Sequence, residues 1–433
     1  MKQLLTIILV CFGAMVYAQD TTQVYKKRVL ENTEIDFLTS YYSQDGNNAA
    51  VSGGIGSEEL TDATGAIVIS IPLNDDDVLT IDAGISAYTS ASSSNIDPFD
   101  KGTADAFVAS SGASSSDTWA NLTGSYSHSS DDRNKIWSAK LSVSNEFDYF
   151  SVGLGGGYTR LFNEKNTEVS INGNVYLDTW KALYPIELRP FGEGGNGLSN
   201  RLFQQNTITG NANYNPNFTE LGSEGRNSYS VGFGFSQILS RNAQASFALD
   251  LVQQDGLLST PFQRVYFSDV ANSYIDNFQL ADDIERLPDT RFKVAMGGRF
   301  HYFINEYLVL RTYYRYYFDD WGIKSHTANI ELPIKIGSFT FYPSYRYYDQ
   351  SAADYFAGYE AHVSTEDFYT SDYDLSKYNA NQFGFGVTYT DIFTKFKLGK
   401  FGLKSIDLKY NNYSRNTGLK SNIISAGFKF VRN

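Results

Sequence analysis

The chain has 433 residues and a formal net charge of −13, with 48 Asp and Glu against 35 Lys and Arg. This balance argues against nucleic acid as a partner, because binding it requires a dense basic face. The 32 Tyr and 31 Phe bring the aromatic share to 15%. Such enrichment is typical of strands and membrane interfaces.

The chain begins with MKQLLTIILVCFGAMVYAQD, in which Lys2 precedes an apolar stretch and small or apolar residues precede Gln19. This pattern predicts a secretory signal peptide over residues 1–18. A lipoprotein cysteine at Cys11 is the alternative, but Val10 is not small and the apolar run before it is short. No later apolar run approaches the roughly 18 residues of a membrane-spanning helix, which excludes a helical membrane protein.

Strict alternation of apolar and polar or small residues follows, from VLTIDAGISAY at Val78 through RFKVAMGGRFHYF at Arg291 to NIISAGFKF at Asn422. A period of two predicts strands with one apolar face. The stretches run about ten to thirteen residues, which suits a tilted membrane strand of about nine to eleven better than a soluble strand of five or six.

About sixteen such stretches occur, and their links alternate in length. Taking Thr33 to Ser43 as the first strand places every long link on one side, at 44–61, 90–116, 181–225, 255–290 and 351–377. Nearly all links on the other side are tight, and DIFTKFKLGKFG is the exception. Long loops on one side, short turns on the other and an even strand number are typical of outer-membrane barrels.

These patterns predict an all-β protein. We expect a transmembrane antiparallel β-barrel of about sixteen strands, with short periplasmic turns and long extracellular loops, over residues 33–433. Residues 19–32 would form a periplasmic segment. Closure is required because each unpaired backbone group in lipid costs several kcal/mol. The predicted location is the outer membrane of a Gram-negative bacterium, and the loops are long enough to fold over or into the barrel mouth.

The word Tyr-Arg-Tyr-Tyr occurs twice, in YRYYFDDWGIKSHT at Tyr314 and in YRYYDQSAADYF at Tyr345. Strand parity directs the first and third residues of each word toward lipid, where tyrosine suits the headgroup region. The same parity directs Arg315 and Arg346 into the lumen. Ser325 and Thr327 lie on the intervening strand, and we expect both arginines to flank these hydroxyls at one depth.

These residues, with Arg311 and Arg299, form the candidate lumen site, and Arg291 and Lys293 extend the basic wall. Guanidinium groups match carboxylate and phosphate geometry, so one interpretation is a constriction or binding site for small anionic solutes. The alternative is that inward arginines pair with acidic residues, such as Glu331, and brace the wall.

The outer rim offers a third interpretation, a hydrolase that uses Asp319 or Asp320 with Ser325 and His326. A serine nucleophile needs an imidazole within hydrogen-bond reach. Ser325 and His326 are adjacent on a strand and point to opposite faces, which argues against their direct pairing. An aspartate that acts with His326 to activate water is the alternative left open. We expect no catalytic residue, no cofactor and no metal, since the four histidines are scattered and lack convergent ligands.

The two tyrosine words, together with GLLSTPFQRVYF and ERLPDTRFKVAMGGRFHYF before them, resemble the outer-membrane family catalogued as domain of unknown function 3570. The resemblance covers nearly the whole mature chain and is most specific from Gly256 to Phe356. It implies a barrel in a Gram-negative bacterium. It implies no activity, cofactor or catalytic residue.

Three hypotheses follow. The first is a non-enzymatic, porin-like channel or binding protein for small anionic solutes. The second is a plugged barrel that serves as the membrane component of an envelope assembly with a protein partner. The third and least favoured is the rim hydrolase. In each case the expected surroundings are outer-membrane lipid and lipopolysaccharide, with barrel-assembly machinery acting during biogenesis.

Overall fold

The computed structural model describes residues 27–89 and 116–432. The signal peptide predicted over residues 1–18 and the serine-rich stretch predicted as a loop before residue 116 lie outside the described residues. Within those described residues, a closed wall of sixteen antiparallel strands confirms the predicted barrel. The fold is therefore all-β, as the alternating pattern indicates.

The wall strands are numbered in chain order: β1 (Glu34–Asp45), β2 (Leu60–Pro72), β3 (Asp77–Thr89), β4 (Ser116–Ser129), β5 (Lys135–Asn145), β6 (Tyr149–Phe162), β7 (Thr167–Trp180), β8 (Gly225–Ile238), β9 (Ala243–Gly256), β10 (Thr290–Phe303), β11 (Val309–Asp319), β12 (Lys324–Glu331 and Ile334–Ile336), β13 (Phe339–Gln350), β14 (Tyr378–Thr390), β15 (Phe401–Arg415) and β16 (Lys420–Arg432). Each strand pairs with its neighbours in the sequence. The barrel closes where β1 pairs with β16, from Glu34 opposite Val431 to Asp45 opposite Lys420.

The links sort by length as predicted. The end of the barrel where β1 begins and β16 ends carries short turns, including 73–76, 239–242 and 337–338, and the one longer link, 391–400. We call this the short-turn end. The long links 181–224, 257–289 and 351–377 lie at the opposite, long-loop end. Strand order alone decides the end at which each link lies, because successive antiparallel hairpins leave from alternate ends of the wall.

Large apolar side chains point outward from the strands and remain exposed, as in Ile85, Phe233, Phe383 and Leu408. They occupy the parity predicted to face lipid. Such a band on the outside of a closed barrel is what a membrane-embedded wall requires. Among the described residues, no helix has the length and apolar character needed to cross a membrane.

One wall strand is interrupted. The sequence predicts IKSHTANIELPIKI as a single descending strand, but β12 breaks at Leu332 and Pro333 and resumes at Ile334. Proline lacks the N–H that a continuous ladder requires. The wall remains paired around the break, since Val309 N donates to Pro333 O at 3.1 Å and Leu332 N donates to Pro343 O at 3.1 Å.

The three long links 181–224, 257–289 and 351–377 pack together at the long-loop end, and we call this unit the cap. It contains a three-stranded sheet of Ile208–Gly210, Ser273–Ile275 and Phe278–Gln279, and a two-stranded sheet of Arg264–Val265 and Asp283–Ile284. The described helical segments are short: Ala50–Ser52, Asn163–Lys165, Arg189–Phe191, Gly197–Ser199, Arg201–Gln204 and Tyr373–Leu375. The cap has its own apolar core, which includes Leu188, Phe203, Tyr214, Ile275, Leu280 and Ile284.

Candidate functional site

The two Tyr-Arg-Tyr-Tyr words lie on β11 and β13, with β12 between them. Tyr314 and Tyr347 point outward and are 51% and 38% exposed. Arg315 and Arg346 therefore face the lumen, since successive side chains alternate across a strand. This is the orientation that strand parity predicts for the repeated words.

Three arginines share this face of the lumen: Arg299 on β10, Arg315 on β11 and Arg346 on β13. We call them the arginine wall. All three side chains are exposed, and none has a carboxylate within 4.0 Å in the described part of the chain. Two of them lie near aromatic rings, with the Arg299 guanidinium 5.0 Å from the centre of the Tyr313 ring and that of Arg315 6.0 Å from the centre of the Tyr317 ring.

Two neighbouring arginines behave differently. Arg311 pairs with Glu331 at 3.0 Å, and Arg291 pairs with Asp319 at 2.5 Å while lying 4.2 Å from the Trp321 ring. These two arginines brace the strands, as the alternative interpretation anticipates. Bracing therefore accounts for Arg311 and Arg291 but not for the arginine wall.

The expected alignment with two hydroxyls holds for one arginine only. Arg315 lies opposite Thr327, whereas Arg346 lies opposite Asn329, two residues closer to the short-turn end. The repeated Tyr-Arg-Tyr-Tyr sequence does not reveal this offset, because the turn between β12 and β13 sets the register. Ser325 and Thr327 are only 5% and 6% exposed. Their hydroxyls are therefore poorly placed to meet a solute in the lumen.

The rim residues contact separate partners in the structure. The Asp319 side chain is fully buried and accepts hydrogen bonds from Tyr317 Oη at 2.7 Å and from the backbone N–H groups of Trp321 and Ile323. Its role is to hold the turn after β11. Asp320 Oδ1 accepts from Phe292 N at 3.0 Å, and His326 Nδ1 is 2.7 Å from Tyr314 Oη on the outer face.

The cap encloses a buried ion pair that the sequence reasoning missed. Arg264 Nε and Nη2 donate to the two Glu187 oxygens at 2.6 and 3.1 Å, and both side chains have no exposed surface. Arg264 Nη1 also donates to Val51 O at 3.0 Å, which ties the cap to the link between β1 and β2. A signal was present, since FQRVYF and LYPIELRPF are apolar stretches inside predicted loops.

A second buried carboxyl lies near this ion pair. Glu285 accepts from Thr260 N at 2.7 Å and from Thr370 Oγ1 at 2.5 Å, and it is 2% exposed. Burial, reinforced by the neighbouring Asp372 carboxyl, raises the pKa of Glu285 to about 8. The cap therefore holds a proton on Glu285 at neutral pH.

No group of three or more His, Cys, Asp or Glu side chains in residues 27–89 and 116–432 is arranged to hold a metal ion. The histidines have other contacts. His128 Nδ1 is 2.6 Å from Asp77 Oδ1, and His362 Nε2 is 2.9 Å from Thr370 O within the cap.

A family model described as protein of unknown function (DUF3570) matches residues 5–416. The chain belongs to this family. The match covers nearly the whole chain and confirms the resemblance seen in the two Tyr-Arg-Tyr-Tyr segments. A search of curated proteins finds no match.

Several solved barrels are similar to this DUF3570 protein in architecture. One is a bacterial polysaccharide outer membrane secretin, with 10% identity, 95% of this chain and 100% of that chain covered, and a TM-score of 0.44. A TodX monoaromatic hydrocarbon channel mutant has 9% identity, coverage of 96% and 95%, and a TM-score of 0.41. OccK2 from Pseudomonas aeruginosa has 9% identity, coverage of 93% and 99%, and a TM-score of 0.38. We draw nothing about function from likenesses of this degree.

Proposed function

We propose that this DUF3570 protein is a non-enzymatic outer-membrane barrel that binds or passes small anionic solutes along the arginine wall. Its surroundings would be outer-membrane lipid and lipopolysaccharide. The proposal concerns Arg299, Arg315 and Arg346. It does not include Ser325 or Thr327, which are buried.

The observation that carries the proposal is the contrast between paired and unpaired arginines on one wall. Arg291 and Arg311 each have a carboxylate within 3.0 Å, whereas none lies within 4.0 Å of the arginine wall among the described residues. Unpaired guanidinium groups in a confined lumen attract anions, because the low-dielectric wall concentrates their field. Arginine also presents a fork of donors that matches carboxylate and phosphate oxygens.

Two of the lumen carboxylates lie across the barrel from the arginine wall, whereas Asp250 on β9 and Glu331 on β12 lie on its own side. Asp62 and Asp82 lie on the inward faces of β2 and β3, about half a turn of the barrel away from β10 and β11. Asp62 is occupied by hydroxyl donors, at 3.0 Å from Thr64 Oγ1 and 2.5 Å from Ser86 Oγ. Opposite charges on facing walls direct an anion toward the arginine side.

Planar-bilayer measurement of the reversal potential across a salt gradient tests the proposal. We expect anion preference in the intact protein and loss of that preference in the triple variant Arg299→Ala, Arg315→Ala, Arg346→Ala. Arg241→Ala is the control for loss of a positive charge outside the lumen, because Arg241 lies in an exposed short turn. Equal selectivity in the intact protein and the triple variant would contradict the proposal.

The packed cap favours the plugged barrel as the second candidate. A cap with a fully buried ion pair and its own apolar core would form a stable obstruction at the mouth. Asp255 and Thr290 lie directly opposite each other, so the link between β9 and β10 can be replaced by a short turn without stretching the wall. No current through the intact chain, and steady current through this shortened chain, would favour the plugged barrel and an envelope partner.

A further inference from the structure

A cavity of about 580 Å³ lies at the long-loop end, between the cap and the ends of several wall strands. We call it the mouth chamber. Its volume falls within the range of roughly 300 to 1,000 Å³ that is typical of small-molecule sites. The arginine wall does not contribute to its lining. The chamber is therefore a separate feature from the proposed solute path.

Aromatic side chains contribute much of the lining. They come from the wall, the cap and the links: Tyr88, Trp119, Tyr149, Trp180, Phe262 and Tyr373. Trp180 and Phe262 meet edge to face, with ring centroids 6.2 Å apart at 78°. Aromatic rings provide flat apolar faces on which a ligand with apolar C–H groups can pack.

The same chamber collects polar atoms that lack partners. Among the described residues, four buried side-chain atoms make no hydrogen bond: Glu58 Oε2, Asp178 Oδ1, Arg226 Nε and Gln263 Oε1. Glu58, Arg226 and Gln263 line the chamber, and the other Asp178 oxygen lies 3.8 Å from Arg226 Nε. Glu58 is only 8% exposed.

This group of unpaired polar atoms indicates that a hydrogen-bond partner is missing. A buried polar atom without a hydrogen bond costs about 1–3 kcal/mol, so native structures contain few of them. Three of the four, the acceptors Glu58 Oε2 and Gln263 Oε1 and the donor Arg226 Nε, belong to side chains that line this one cavity. A ligand that both donates and accepts would suit such a mixed lining.

An amine is the obvious competing ligand, because five carboxyl groups line the chamber: Glu58, Glu146, Asp148, Asp372 and Asp374. Burial raises the pKa of both Glu58 and Glu146. Asp374 Oδ1 already pairs with Arg415 Nη1 at 2.5 Å, and Asp372 accepts hydrogen bonds from Gln263 Nε2 and Asp374 N. Asp148 Oδ2 already accepts from Trp180 Nε1 at 3.2 Å. An ammonium group would also leave the Arg226 Nε donor without an acceptor. These features favour a neutral ligand rich in hydroxyl groups.

We infer that the mouth chamber binds a short saccharide, packed against its aromatic rings and hydrogen-bonded by Glu58, Arg226 and Gln263. Sugar hydroxyls donate and accept, which suits the mixed set of unpaired atoms. Sugar rings also present C–H faces to aromatic side chains. The inference goes beyond the proposed anion path and holds whether or not the barrel conducts.

Tryptophan fluorescence of the full chain tests the inference, because the chamber contains Trp119 and Trp180, two of the four tryptophans. The protein is held in a detergent without a sugar headgroup. The probes are maltose, cellobiose, the disaccharide of N-acetylglucosamine and, as the amine, putrescine. We expect a saturable change with at least one saccharide at about 10 mM or below, which covers weak millimolar sites.

Glu58→Gln and Gln263→Ala should each weaken saccharide binding by about tenfold, the effect of one or two lost hydrogen bonds. Glu59→Gln is the matched control, because it makes the same charge change at the exposed neighbouring residue. Unchanged heat-modifiable mobility on gels verifies that each variant is folded.

Three results would overturn the inference. These are no saturable response to any saccharide, binding of putrescine in place of saccharides, and saccharide binding that survives both substitutions. None of these readouts measures conductance. Failure of the saccharide site is therefore distinguishable from failure of the anion path.

Discussion

The wall exposes its large apolar side chains, as in Phe233 and Phe383 at 44% and 61%, whereas the cap buries Leu188 and Ile284 completely. All of the largest fully buried side chains among the described residues belong to the cap: Arg264, Tyr369, Phe267, Leu188, Ile275, Leu280, Ile284, Glu187, Val265, Thr370 and Asp283. The wall has no comparable interior. Its strands are held by backbone hydrogen bonds, with lipid covering the outer face.

The difference shows that one chain contains two kinds of stabilisation. Hydrophobic burial in water stabilises the cap, as in a soluble domain. A closed hydrogen-bonded ladder stabilises the wall, because an open edge in lipid is costly. We therefore expect substitutions in one region to leave the other intact, and three predictions test this separation.

The largest expected effect is in the cap. Arg264→Met leaves Glu187 buried and unpaired, which should destabilise the cap by about 3–5 kcal/mol. Hydrogen exchange over residues 257–289 should become much faster, while the mobility shift of the barrel on heating is retained. Adding Glu187→Leu should restore much of the protection. Loss of the barrel itself in the single variant would show that wall and cap are not separable.

A smaller effect is expected in the wall. Phe233→Arg places a charge on the lipid face near the middle of β8 and should cost about 2–4 kcal/mol of barrel stability. Urea titration of the barrel refolded in lipid vesicles measures this loss. Ser230→Arg on the lumen face of the same strand is the matched control and should cost far less. Equal losses from the two changes would mean that β8 does not face lipid as assigned.

The smallest expected effect, counted per pH unit, is a pH dependence of cap stability. Because the pKa of Glu285 is raised to about 8 from an ordinary 4.5, the folded cap keeps a proton that the unfolded cap releases. This contribution is fully present below about pH 4.5 and is lost as the pH rises toward 8. For one proton the slope is at most about 1.4 kcal/mol per pH unit.

Limited proteolysis of the cap at pH 5 and pH 8 measures this dependence. Glu285→Gln should remove most of the difference, and comparison with the unchanged chain at each pH cancels the pH response of the protease. Glu193→Gln, at an exposed position of the cap, should behave like the unchanged chain. An unaltered pH difference in Glu285→Gln would assign the effect to another group.

The wall was predictable because strand parity and hairpin connectivity are set by residues that are close together in the sequence. Alternation fixes which side chains of β10 and β11 point outward, and hairpin connectivity fixes which links share an end. The break at Pro333 was missed, because the alternation of apolar residues continues on both sides of the proline. The register of Arg346 opposite Asn329 was also missed, because register depends on the turn and on both neighbouring strands.

The sequence by itself determined the strand count, the sorting of loops and turns, the family and the inward direction of Arg315 and Arg346. Only the tertiary structure decided that Arg311 is paired while Arg299, Arg315 and Arg346 have no carboxylate partner among the described residues. It also decided that Arg264 and Glu187 meet across 77 positions of the chain inside the cap. The physical reason is separation along the chain. Strand parity is set by neighbouring residues, whereas charge pairing and burial depend on which distant segments come into contact.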